Sequence, residues 1–140
     1  MVYKKKLNEY EKGFLSCFLD TDGYISLSKV KRKKYKTGKG WHPSYMMGFC
    51  NNNIDLLKKI ENIIGYEGRY VKKKGSSNWS LRYGKREIIR GILDQIKLIV
   101  KEKRRILLLE YFYLADHRLE QSNNDYERKL FTIFDTWESL

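Results

Sequence analysis

The sequence predicts an α+β fold in the order helix, two strands, helix, two strands, helix, with further helices appended. Three observations carry it. Helical spacing of apolar residues gives way twice to strict alternation and twice returns. Glycine- and asparagine-rich turns mark the changes, and the alternating segments come as adjacent pairs. Such an αββαββα core makes a four-stranded antiparallel, saddle-like sheet with helices on one face and the other face open. At 140 residues the chain is one domain, 1–140, large enough to bury a real core, and it carries no internal repeat.

Residues 1–7 form a basic tail, expected to be frayed or to lie on a phosphate backbone. Asn8 followed by Glu11 has the spacing of a capping box and starts a helix over about Glu9 to Thr21. From Tyr24 the period becomes two: Ile25 and Leu27 share one strand face, and Ser26, Ser28, Val30 and Arg32 share the other. Lysine-rich Lys31 to Lys39, Lys34 included, ends in Gly38-Lys39-Gly40 and reads as a hairpin tip. Ser44 to Cys50 alternates Tyr45, Met47 and Phe49 against Ser44, Met46, Gly48 and Cys50.

Asn51-Asn52-Asn53 supplies a turn and a cap for a helix whose apolar residues are Ile54, Leu57, Ile60 and Ile64, closed by Gly65. A hairpin follows, from Tyr70 through Lys74, across Gly75-Ser76-Ser77-Asn78, and back through Trp79, Leu81 and Tyr83. A third helix is expected over about Arg86 to Val100, and a fourth from Lys101 or Lys103, largely buried from Ile106 to Leu114. After a polar break at 115–124, Asp125 to Glu138 repeats Leu130, Ile133, Phe134 and Trp137 as a packed terminal helix, 125–138.

Charge narrows the partner. Lysine and arginine number 29 against 17 acidic residues, a net charge of +12, which favours a polyanion, nucleic acid before a membrane surface. No stretch reaches the ~18 apolar residues of a membrane span. Nor does an apolar run follow Met1-Val2-Tyr3-Lys4-Lys5-Lys6, so an intracellular, non-secreted protein is expected. Cys17 and Cys50 lie in apolar runs without metal-ligand spacing and read as buried free thiols. His42 and His117 are isolated, which leaves nuclease chemistries built on paired histidines without their residues. The expected open face carries Ser28, Arg32, Ser44, Lys72, Lys74, Ser80 and Arg82, a basic, hydrogen-bonding set suited to the major groove. Seven of the eleven residues from Lys29 to Lys39 are basic, more than solubility requires.

The first helix ends in Asp20-Thr21-Asp22-Gly23. A carboxylate at a helix C-terminus opposes the macrodipole by a few tenths to ~1 kcal/mol, a cost that a bound cation removes. A calcium loop ending its turn at Gly23 would need carboxylates where Phe18 and Lys29 stand, so that reading fails. Upstream, Gly13, Ser16 and Cys17 set small side chains on one helix face and allow close approach of another backbone, either a partner's or the chain's own.

Leu15-Ser16-Cys17-Phe18-Leu19-Asp20-Thr21-Asp22-Gly23 resembles the signature of the LAGLIDADG homing endonucleases. Leu15, Asp20, Asp22 and Gly23 match by identity, Ser16, Phe18 and Leu19 are conservative, and Cys17 replaces the central glycine. The resemblance covers roughly residues 8 to 112. It implies a site-specific double-strand DNA endonuclease cutting a long, nearly palindromic site by metal-dependent hydrolysis. Asp22 would ligate Mg²⁺ (or another divalent ion such as Mn²⁺) with the Thr21 carbonyl, and Asp20 would be structural. Lys101, with Lys103 as its neighbour, falls where the family places a catalytic lysine. Asn53 falls near a water-orienting residue, with Asn51 as a competitor and helix capping as its plain role. One signature per chain implies a homodimer packed through Gly13, Ser16 and Cys17. The alternative on the same scaffold is a non-catalytic maturase acting on intron RNA, or a DNA-binding regulator.

Overall fold

A computed structural model describes residues 2–31 and 40–140. Arg32, Lys34 and the tip of the first hairpin lie outside the described residues. The architecture is the expected α+β one: α1 (Glu9–Asp22), β1 (Gly23–Lys31), β2 (Trp41–Asn51), α2 (Ile54–Ile64), β3 (Arg69–Lys72), β4 (Trp79–Tyr83), α3 (Arg86–Leu93), α4 (Glu102–Asp116), a 3-10 turn at Arg118–Glu120, and α5 (Asn123–Glu138).

Local chemistry sets these boundaries. Asn8 Oδ1 accepts the Glu11 N–H at 2.8 Å while the Glu11 carboxylate accepts the Asn8 N–H at 3.0 Å, which completes the capping box of α1. Asn53 caps α2, and Gly65 ends it at φ 85°, a left-handed conformation that favours glycine. At the end of α1 a Cβ on Gly23 would lie 2.8 Å from Leu19 Cα and 2.9 Å from the Gly48 carbonyl oxygen. Backbone atoms cannot yield there, so only glycine lets the chain pass straight from α1 into β1.

The strands pair antiparallel in the order β1-β2-β4-β3. Ile25 opposite Met47, Leu27 opposite Tyr45, and Phe49 opposite Leu81 face the helices, where Leu15, Leu19, Leu57, Ile60, Ile89, Ile92, Leu108 and Phe112 complete the core. The other face carries Ser28 opposite Ser44, Ser26 opposite Met46, Tyr24 opposite Gly48, Gly48 opposite Arg82, and Arg82 opposite Arg69.

Several expectations need correction. β2 begins at Trp41, three residues early, because Trp41 packs edge-on against Phe134 of α5 with ring centroids 5.0 Å apart. β3 ends at Lys72; Lys72 pairs with Trp79 on the helix-covered face, and Lys74 lies in the turn, so neither belongs to the open face of the ladder. That face instead receives Arg69 and Val71. α3 stops at Leu93 rather than Val100, and the chain then turns to reach α4. Within α4 Leu108, Tyr111, Phe112 and Leu114 are buried, but Ile106 and Tyr113 are exposed. α5 starts at Asn123, capped by Ser122, two residues before the expected start.

The tail is not frayed. Leu7 is buried, the Tyr3 hydroxyl donates to the Ile64 carbonyl at 2.7 Å, and Gln95 accepts the Leu7 N–H and donates to the Lys5 carbonyl. These contacts fasten residues 3–7 to the end of α2 and to the turn after α3. Cys17 is exposed, not buried, and Cys50 is partly covered; both are free thiols.

Candidate functional site

Asp22 ends α1 with its side chain exposed, and among the described residues it has no hydrogen-bond or ion-pair partner. In a chain of net charge +12 an unpaired carboxylate held at a helix C-terminus is unusual. It lines a cavity of about 260 Å³ with Cys50, Asn51, Asn52 and Asn78, drawn from β2, the turn after it and the β3–β4 hairpin.

Asp20, two residues back, is fully engaged. Its carboxylate accepts the backbone N–H groups of Ile99 (2.6 Å), Val100 (3.2 Å) and Lys101 (3.0 Å). The Lys101 ammonium returns to α1, donating to the carbonyls of Leu19 at 3.0 Å and Asp20 at 2.6 Å. A cation on the last free carbonyls of a helix compensates the macrodipole, so Lys101 supports the same helix end that presents Asp22. The segment 97–101 is fixed at its other end by Glu102, which accepts the Leu98 N–H at 2.9 Å and is clamped by Arg105. The Arg105 hydrogen bond chiefly holds the Glu102 carboxyl down to about 2.

Asn53 Oδ1 accepts the Asp55 and Leu56 N–H groups at 3.0 and 3.3 Å, so its oxygen serves as the cap of α2, and Asn53 does not line the Asp22 cavity. Asn51 does, with its Oδ1 fixed by the Asn53 N–H at 2.8 Å. Thr21 is exposed, its hydroxyl donating back to the Cys17 carbonyl at 2.9 Å.

Gly13 and Cys17 are exposed and Ser16 half-buried; a Cβ placed on Gly13 would meet nothing within 4 Å. The small face of α1 is therefore not covered by the chain's own sheet or helices. Beside its C-terminal end, on the backbone held by Asp20, Ile99 is 92% and Val100 77% exposed.

On the open sheet face Ser28 is exposed and Ser44 partly so. Ser80 is different: it is 8% exposed, with its hydroxyl among Tyr24, Cys50 and Arg82. Sequence reasoning missed Tyr24, Arg69, Lys73 and Asn78 as site neighbours, while Asn51, the competitor to Asn53, does line the Asp22 cavity. Strand alternation carried through Gly23 would have found Tyr24; the others depend on where the second hairpin bends.

The family model for "LAGLIDADG endonuclease" matches residues 15–113. The chain belongs to that family. No curated protein matches. Among solved structures the fold of this LAGLIDADG protein is similar to that of the group I intron-encoded homing endonuclease I-CeuI complexed with DNA (TM-score 0.74, 18% identity, 96% of this chain and 69% of that one). It is also similar to the archaeal intron-encoded homing endonuclease I-Vdi141I complexed with DNA (0.68, 16%, 89% and 80%). A third is I-CvuI, in complex with its target in the presence of 2 mM Ca (0.65, 18%, 76% and 70%). The family match stops at Tyr113, so the end of α4, the 3-10 turn and α5 lie beyond it.

Proposed function

We propose that the protein is a site-specific double-strand DNA endonuclease acting as a homodimer on a long, nearly palindromic site, with one strand cut by each protomer. The observation that carries this reading is Asp22: a carboxylate without a partner among the described residues, at the tip of the signature helix, beside an uncovered small-residue face and an open sheet face whose Arg69 and Arg82 have no carboxylate partner among those residues. A purely binding protein of this charge would gain by losing it.

The donor set suits a hard divalent cation. Asp22 and the adjacent Thr21 carbonyl are oxygen ligands. Among the described residues no three His, Cys, Asp or Glu side chains gather, so Asp22 would hold Mg²⁺ or Mn²⁺ together with DNA oxygens, water and the partner's signature helix. When bound, the ion supplies charge stabilisation at phosphate and lowers the pKa of water. Lys101 holds the end of α1 through the Leu19 and Asp20 carbonyls, two residues from Asp22, and its ammonium would meet charge developing on phosphate. Asn51, rather than the cap residue Asn53, takes the water-orienting role, since its amide faces the Asp22 cavity from the β2 end.

The face of Gly13, Ser16 and Cys17 is proposed to pack on its two-fold mate, flanked by Ile99 and Val100. That packing places both Asp22 carboxylates together over one minor groove. Ser28, Ser44, Arg69, Arg82, Lys73 and Lys74 would contact bases and phosphates on each side, and Arg32 and Lys34 are proposed to join them.

The test is a plasmid carrying the empty insertion site of the protein's own gene, incubated with Mg²⁺ or with EDTA, alongside Asp22→Asn. Linearisation at one position, dependent on metal and lost in the variant, is expected. An intact plasmid together with tight, salt-sensitive binding would overturn cleavage in favour of the maturase or DNA-binding regulator reading.

A further inference from the structure

On the open face, one row beyond the end of α1, Tyr24, Gly48, Arg82 and Arg69 lie side by side across all four strands. The Tyr24 ring lies flat over Gly48: a Cβ there would come within 2.3 Å of the ring. From that position its hydroxyl reaches Ser80 Oγ at 3.3 Å, and Ser80 Oγ accepts the Arg82 Nε–H at 3.3 Å. Cys50 Sγ approaches the same oxygen at 3.8 Å. Ser80 is the one buried polar side chain among the described residues, and it is spent on orienting an arginine.

Arg82 has no carboxylate partner among the described residues, and its strand neighbour is Arg69, a like charge directly opposite. Such a pair is unfavourable until an electron-rich group arrives. Nε is tied to Ser80, which leaves the two terminal nitrogens for an end-on contact, and Arg82 lines a cavity of about 440 Å³ with Tyr24, Cys50, Val71, Lys73 and Ser80.

We infer that Tyr24, Ser80 and Arg82 form one specificity unit, in which Arg82 reads a guanine through O6 and N7 while Ser80 and Tyr24 are positioning residues for it. The inference rests on the DNA-binding reading above. A guanine is favoured over a phosphate because Arg82 lies on the floor of the sheet, whereas Lys73 and Lys74 occupy the rim; base edges meet the floor of a groove-inserted surface and phosphates its sides. Fixing the guanidinium beforehand lowers the ordering cost of a bidentate contact. The row of Arg82 begins two residues after Asp22, so its base pair lies in the inner part of each half-site, beside the cut.

The experiment measures binding of the full-length protein to the insertion-site duplex and to a set with each base pair changed singly. Wild type should prefer guanine at one symmetric pair of positions by about 5- to 150-fold. Arg82→Ala should bring that ratio near one, and Ser80→Ala and Tyr24→Phe should lower it at the same position only. Ser80→Thr, which keeps the acceptor, should restore it, with melting temperature and salt slope unchanged throughout. Intact guanine preference in Arg82→Ala overturns the unit and leaves the endonuclease reading standing. So does a uniform weakening on all targets with the salt slope reduced by about one, the signature of a phosphate contact. Wild-type protein with no preference at any position overturns both.

Discussion

Asp20 and Lys101 hold each other in both directions: the Asp20 carboxylate accepts the Lys101 N–H at 3.0 Å, and the Lys101 ammonium donates to the Asp20 carbonyl at 2.6 Å. The two acids of the signature thus divide their work. Asp20 is consumed by structure, and Asp22 has no partner among the described residues.

Asp20→Ala strands three N–H groups and releases the 97–101 segment. A loss of about 2 to 3 kcal/mol is expected in urea unfolding. A change below about 0.5 kcal/mol would mean that the segment holds itself.

Lys101→Met should cost only about 1 to 2 kcal/mol of stability, because it removes charge-assisted bonds at a helix end. Cleavage should fall by about 100-fold or more while DNA affinity changes little. Equal losses in both, measured by single-turnover cleavage and gel shift, would make Lys101 a binding residue.

Gly23 and Gly13 should respond oppositely. Gly23→Ala drives a Cβ into backbone at Leu19 and Gly48, and about 1 to 3 kcal/mol of destabilisation is expected. Gly13→Gln meets no atom of its own chain and improves helix propensity, so the protomer should melt no lower. In sedimentation it should be a monomer and in the plasmid assay inactive. A Gly13→Gln dimer would remove the α1 face from the interface.

Glu102 gives a pH dependence. Its carboxyl is held at about 2, below the ordinary 4.5, chiefly by Arg105. A depressed folded pKa stabilises the protein above the unfolded value, and that contribution is lost as pH falls from 4.5 toward 2. Wild type should exceed Glu102→Gln by about 2 kcal/mol above pH 5. The gap should close toward pH 2; a gap independent of pH would show that packing alone separates them.

Much of this was legible in the sequence. The capping box at Asn8, the closing Gly65 and the phase of Ile25, Leu27, Met47, Phe49 and Leu81 all follow from local rules and hold in the structure. The failures share a cause. The phase of β3 is set by its pairing with β4, which puts Lys72 opposite Trp79 on the covered face; Lys74 lies past the strand; and apolar residues run on beyond the end of α3 at Leu93 into a segment whose N–H groups the distant Asp20 carboxylate holds. Exposure of Cys17 was hidden because an apolar run looks the same whether its small side faces a core or an empty surface.

The lock between Asp20 and Lys101 spans 81 positions of sequence and therefore imposes an order in time. During synthesis the signature helix and the first hairpin leave the ribosome long before the residue that steadies the helix end exists, and a contact of such separation closes only after the intervening elements have collapsed. A nascent or truncated chain ending before Lys101 would carry the acidic tip without its support. The steadied end of the signature helix exists only in chains extended past residue 101.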